Sequence, residues 1–169
     1  IESLAENLND SVVAAWFWFA ILGLPGAALW RYTDTADSMW GYRGTYKGKR
    51  WEWAGKWAAR VDDVLAWVPA RLTGVCLALA AWPRRVAMGT LRQEAGQTPS
   101  PNSGWPMAAM ALALQLVLRK PGIYTLNAAG AQAQPQHVLQ AVRMSQRALV
   151  WALVAVASWV GLIVAGSRL

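Results

Sequence analysis

Residues Ala148–Gly166 read ALVWALVAVASWVGLIVAG, nineteen residues without a charge, bracketed by Arg147 and Arg168. A helix needs roughly 20 apolar residues to cross the hydrocarbon core of a bilayer, so this run is expected to be a transmembrane helix. The composition agrees. Of 169 residues, 56% are hydrophobic and only 15% are charged, against about 25% charged in a soluble domain. The chain has too few solvating groups for a water-soluble fold of this size.

Working outward from that run, three more apolar segments appear, each with a defect. Residues 105–118, WPMAAMALALQLVL, are too short to span unaided, so they are expected to be re-entrant or to end inside a bundle. Residues 64–82 are interrupted by Pro69 and Arg71. Residues 12–30 carry Gly23, Pro25 and Gly26 in their second half, where a missing amide donor and loose backbone predict a kink or break. Polar stretches at 31–63, 84–104 and 119–146 read as loops. The expected fold is all-α: one polytopic membrane domain over 1–169, with about three to four hydrophobic helices, polar motif loops, and one run as a candidate for re-entry. The chain opens on Ile1 with no signal-peptide pattern, and is expected to be part of a longer protein.

The net charge is +7. Its basic residues sit between apolar runs, for example Lys47, Lys49, Arg50 and Lys56, a pattern of topology and lipid contact, not of nucleic-acid binding. If every apolar run crosses, loops 31–63 and 119–147 share one side with eleven of the sixteen basic residues, and that side is cytoplasmic. Several of the twelve Trp (Trp30, Trp67, Trp82, Trp105) end apolar runs and are expected to anchor at headgroup level. The single Cys76 lies in an apolar run and is read as packing, with no disulfide or Cys-His metal pattern.

Acids are concentrated early. Eight of nine precede residue 64. In IESLAENLND, Glu2, Glu6 and Asp10 recur every four residues, so a helix stacks three like charges on one face. A solvated helix start accounts for that stretch; a shared divalent cation such as Mg²⁺ is the alternative, through Glu6 and Asp10. Asp34, Asp37 and Ser38 in DTADSM read as a turn with capping residues. In ARVDDVLAWVPARL, Arg60 and Asp63 are spaced for a helical ion pair, Asp62 points about 100° away, and Arg71 follows Pro69 in an apolar run. Ionisable groups beside membrane segments carry a functional expectation, with a snorkelling arginine as the plainer reading. In PSPNSGWPMAAM, Pro106 suits a first helical turn. Ser100, Asn102 and Ser103 offer hydrogen bonds ahead of it, and Gly104 admits close approach of backbone or ligand. A helix start of this kind favours a phosphate or carboxylate.

Together, AENLND, DTADSMWGY, AARVDDVLAWVPARLT and PSPNSGWPMAAMA resemble, in order, the motifs of the CbiB/CobD family of cobalamin biosynthesis, over about Ile1 to Ala113. The resemblance implies a multi-pass protein of the bacterial inner membrane that carries out an ATP-dependent amide ligation. Adenosylcobyric acid, a corrinoid, is joined to (R)-1-amino-2-propanol or its phosphate, with ATP and Mg²⁺ as cofactors and membrane lipid as surroundings. It marks positions without fixing roles, and by their chemistry Asp37, Asp62, Asp63, Arg60 and Arg71 are the candidate catalytic residues. Asn7, Ser38, Ser100, Asn102, Ser103 and Gly104 become candidates for substrate binding, and Glu6 and Asp10 for metal. The chain departs from the family pattern at Ser11, Asp34 and Thr98. The alternative is an AmpE-like membrane sensor or accessory protein that binds a ligand without ligase chemistry.

Overall fold

The computed structural model describes residues 1–40, 45–46, 48–50 and 52–166. The helices are α1 Glu2–Asn7, α2 Ala14–Trp40, α3 Glu52–Ala80, α4 Met88–Ala95, α5 Gly104–Leu114 and α6 Pro135–Gly166. A π-helical segment, Leu8–Val13, joins α1 to α2. Two short antiparallel hairpins complete the set, β1 Thr45–Tyr46 with β2 Lys49–Arg50 and β3 Leu118–Lys120 with β4 Tyr124–Leu126. By length and composition alone, three helical stretches suffice to cross a membrane, Glu2–Trp40, Gly55–Ala80 and Pro135–Leu162. The protein is an all-α membrane protein. Lys47 of the basic loop and Arg168 behind the last span lie outside the described residues.

The first of these stretches is not one rod. In a continuous helix Asp10 and Trp30 stand about 30 Å apart, yet the Trp30 indole Nε1 donates to the Asp10 carbonyl at 2.9 Å. The chain therefore doubles back. It turns at Gly23, with φ 65° and ψ −154°, a conformation open essentially to glycine alone. Pro25 follows in the first turn of the returning arm, where its missing amide costs little. Gly26 then lets the arms touch, because a Cβ there would run into the Trp18 carbonyl and the Leu22 side chain. The apolar arm before the break, residues 12–22, is about 16 Å long, half the hydrocarbon thickness. The predicted break is thus a complete reversal. Trp30 is not an interface anchor: it is buried with Ala14 and Ala66 where the arm meets α3.

α3 continues through Pro69 without stopping. Proline has no amide to give the carbonyl four residues back, so Leu65 O is released, and the Trp18 indole takes it at 3.1 Å. The defect that sequence reading treats as an interruption is here a docking point for the first arm of α2. Cys76 is buried in the core, as expected of a packing residue.

α5 is the hub. Its Met107 to Ala111 are buried without a break, because α3, α4, α6 and α1 pack around it. It ends at Gln115, whose left-handed backbone (φ 57°, ψ 40°) closes the helix. The short apolar run thus ends inside the bundle, the second of the two expected outcomes. The stretch 119–146 is not a loop: β3 and β4 occupy part of it and α6 already begins at Pro135. Likewise α4 fills part of 84–104.

One cavity is lined by Ala80, Trp82, Leu114 and Arg143, while Asn102 bonds to Asp63. Those contacts put the 84–104 segment alongside the bundle, running from the end of α3 back to the level of Asp63. The expectation that loops 31–63 and 119–147 share a side held only if every apolar run crosses, and the reversal at Gly23 and the end of α5 inside the bundle remove that condition. With it goes the charge argument for a cytoplasmic face.

Candidate active site

The fold-back of α2 gathers five carboxylates. Asp10 comes from the π-helical segment, Asp34 and Asp37 from the returning arm, Asp62 and Asp63 from α3. Asp62 lies within electrostatic reach of Asp37, Asp10, Asp34 and Asp63, in decreasing order of influence. Its Oδ1 is buried and has no hydrogen-bond partner. Arg31 reaches Asp34 at 3.0 Å, but from an exposed position. The stretch DTADSM is therefore helix, not the turn its Asp and Ser residues suggest. Contact with α3 and the 8–13 segment overrides their local preference, and Ser38 is spent on the Asp34 and Thr35 carbonyls behind it.

The π-helical turn explains why Asp10 can join. Ala14 N–H reaches back to Asn9 O and so leaves the Asp10 carbonyl without its ordinary helical partner, free for Trp30. On the same turn Asn9, 2% exposed, donates to Asp10 Oδ1 at 2.8 Å. It also accepts the Thr73 hydroxyl at 2.9 Å. This buried tie between the first segment and α3 fixes the Asp10 carboxylate. Removing the hydroxyl in Thr73→Val leaves Asn9 Oδ1 unpaired and is expected to destabilise the protein by about 1–2 kcal/mol, read as a lower melting temperature. Thr73→Ser should restore most of it.

A second arginine, Arg71, stands on α3 beside Asn102. The Arg71 guanidinium lies 4.0 Å from the Trp67 ring centroid and 5.0 Å from that of Trp105, an arrangement that favours a cation by the ring quadrupoles. Its Nη1 donates to Trp67 O at 2.6 Å and to Asn102 Oδ1 at 3.1 Å. Asn102, 4% exposed, uses its Nδ2 to reach Asp63 O at 2.8 Å and Asp63 Oδ1 at 3.4 Å. A single buried asparagine thus joins the cationic and the anionic halves of the site.

The turn before α5 is organised around seating that asparagine. Ser100 Oγ accepts the amides of Asn102 and Ser103 at 3.2 and 3.3 Å, so two of the amides offered to an anion are already occupied. Gly104 is where the start of α5 meets the end of α4: a Cβ would strike Ala95 O and Thr98 Oγ1. Backbone, not ligand, is what approaches it.

Other sequence candidates stand apart. Arg60 is exposed and makes no ion pair with Asp63, because Asp63 turns to Asn102. Asn7 is exposed. Glu6 is within electrostatic reach of Asp10 as well as of Glu2 and Lys120, and the Tyr124 phenol is pushed above its ordinary value by burial and by the Glu2 and Glu6 carboxylates. Sequence reading missed Asn9 and Thr73, and did not connect Trp67 and Trp105 with Arg71. A polar residue inside an apolar run was the available signal for Thr73.

The donors suit a hard cation in one respect only. Asp62 and Asp10 present carboxylate oxygens, one of them buried and unbonded, but among the described residues no three His, Cys, Asp or Glu side chains form a ligand set. Mg²⁺ keeps several waters and commonly takes one or two carboxylates together with substrate phosphates.

A family model described as CobD/Cbib protein matches residues 1–162, well past Ala113, where the sequence resemblance stops. The chain is 40% identical to the cobalamin biosynthesis protein CobD of Dehalococcoides mccartyi, over 92% of this chain and 51% of that protein. It is 42% identical to the probable cobalamin biosynthesis protein CobD of Methanothermobacter thermautotrophicus, over 89% and 50%. With the CobD of Stutzerimonas stutzeri it shares 44%, over 92% and 50%. The chain spans about half the length of these relatives. No solved structure matches it.

Proposed function

The chain belongs to the CobD/CbiB family, and from that premise we propose that it carries an amide-forming site acting on a corrinoid carboxylate and an aminopropanol in the inner membrane. The observation that carries this reading is the two-ended site: carboxylates on one side, Arg71 on the other, and Asn102 bonded to both. Amide ligation handles a carboxylate and phosphates at one point and an ammonium at a neighbouring one, and that is the charge pattern present.

The chemistry is an activation followed by a substitution. The corrinoid carboxylate oxygen takes the γ-phosphoryl group of ATP, releasing ADP and leaving an acyl phosphate. The amine nitrogen then attacks the acyl carbon, the C–N bond forms, and inorganic phosphate leaves. Arg71 would orient the carboxylate or the phosphoryl oxygens through its unoccupied N–H groups. Asp62 and Asp63 would hold the ammonium, and one of them would accept its proton so that the lone pair can attack. Asp37 closes the acidic side. Asp10 and Asp62 would hold a Mg²⁺ ion, which supplies charge neutralisation for phosphoryl transfer. Positioning accounts for most of the remainder.

The test is direct. Full-length protein with ATP, Mg²⁺, adenosylcobyric acid and aminopropanol phosphate should yield the amide with one ADP per product. A folded sample that forms no amide sinks the reading; corrinoid binding without turnover would return the chain to the accessory class.

A further inference from the structure

A cavity of about 390 Å³ opens where the end of α3 meets α5 and α6. Ala80, Ala113, Leu114 and Met144 make its floor, and Arg84, Arg143 and Arg147 line it with Trp82. Arg143 and Arg147 are four residues apart on α6, so they stack on one face. No acidic residue lines the cavity, and none of the three guanidiniums has an ion pair or side-chain hydrogen bond among the described residues. A fourth arginine, Arg85, lies 5.8 Å from the centroid of the Trp82 ring. Asp62 and Ala80 are eighteen residues apart on α3, about 27 Å, which separates this cavity from the acid–Arg71 site.

Three like charges lining one cavity without a counter-ion repel one another, and an anion relieves that. We propose that the cavity seats the headgroup phosphate of an anionic phospholipid. The ligand chemistry is a phosphate ester with an apolar body. The guanidiniums take the phosphate oxygens, and the alanine, leucine and methionine floor takes the start of an acyl chain. Its position favours a lipid over a soluble phosphate ester. Arg147 is the last charge before the nineteen charge-free residues of α6, and Trp82 is 68% exposed beside it, as an indole at headgroup level is. Basic pockets at helix ends are a recognised seat for acidic lipids.

Full-length protein in phosphatidylcholine vesicles, with and without brominated phosphatidylglycerol, tests this. The bromine-quenched component that disappears in Trp82→Phe reports the cavity. Brominated phosphatidylglycerol should quench that component in clear preference to brominated phosphatidylcholine. Arg143→Gln with Arg147→Gln should lower the preference roughly fivefold per arginine, while Arg143→Lys with Arg147→Lys retains most of it and controls for folding. Equal quenching by both lipids overturns the proposal, as does a preference that survives Arg143→Gln, Arg147→Gln and Arg84→Gln together. An equal loss in Arg119→Gln with Lys120→Gln would reduce the effect to general surface charge and overturn it too. Displacement of the lipid by millimolar inorganic phosphate would overturn the lipid assignment in favour of a soluble phosphate ester.

Discussion

An Asp62→Asn variant is expected to melt higher than the wild type in the absence of divalent cations, and yet to turn over roughly 10²–10³-fold more slowly. Both effects follow from one fact. The Asp62 carboxylate lies within electrostatic reach of four others, and its buried Oδ1 has no partner. A buried unsatisfied charged oxygen costs about 1–3 kcal/mol or more, and a neutral amide in the same volume removes the charge and with it the repulsion. At this chain length each kcal/mol is worth about 2–4 °C in melting temperature. The same amide cannot accept the ammonium proton or hold a cation, so stability and activity move in opposite directions. Added Mg²⁺ should stabilise the wild type more than the variant. A variant that is both less stable and fully active would remove Asp62 from the site.

The second large effect is expected from Gly26→Val. Any Cβ at this position meets the Trp18 carbonyl, and backbone cannot yield as a flexible side chain can. Overpacking of this kind costs about 1–3 kcal/mol. Here it also drives apart the two arms of α2, and Asp34 and Asp37 ride on the returning arm. Turnover should fall by at least about a hundredfold, by the same loss of pre-set charges. The structural readout is local. Ala36 is buried at 5%, so the thiol of an Ala36→Cys variant should resist alkylation, and adding Gly26→Val should expose it. A thiol that stays protected, with turnover intact, would show that the arms tolerate separation.

Much of this was legible in residues. The charge-free run 148–166 and the Gly23–Pro25 break each point to what is found, because each rests on local physics: apolar length and backbone freedom. What was not legible depends on partners distant in sequence. Arg60 and Asp63 have the spacing for a pair, but Asn102, thirty-nine residues away from Asp63, takes that aspartate. DTADSM has the composition of a turn, and only its neighbours on α3 and the first segment make it helix. The β3–β4 hairpin went unread in a stretch classed as loop, although Pro121-Gly122 marks its turn. Most consequential is the fold-back itself. Gly and Pro announce that a helix ends, but the reversal is decided by Trp30 and Trp18 finding carbonyls that a π-turn and a proline have left free.

The aromatic pair against Arg71 has a thermodynamic consequence. A mobile arginine surrenders about 2 kcal/mol of rotamer entropy when a ligand fixes it. With Trp67 and Trp105 both against its guanidinium and Nη1 tied to Trp67 O and Asn102, this side chain has given up that freedom during folding. An arriving anion therefore meets a guanidinium that is already in place. Weakening these contacts, as in Trp105→Leu, should show itself first in the entropy of anion binding and only secondarily in its enthalpy.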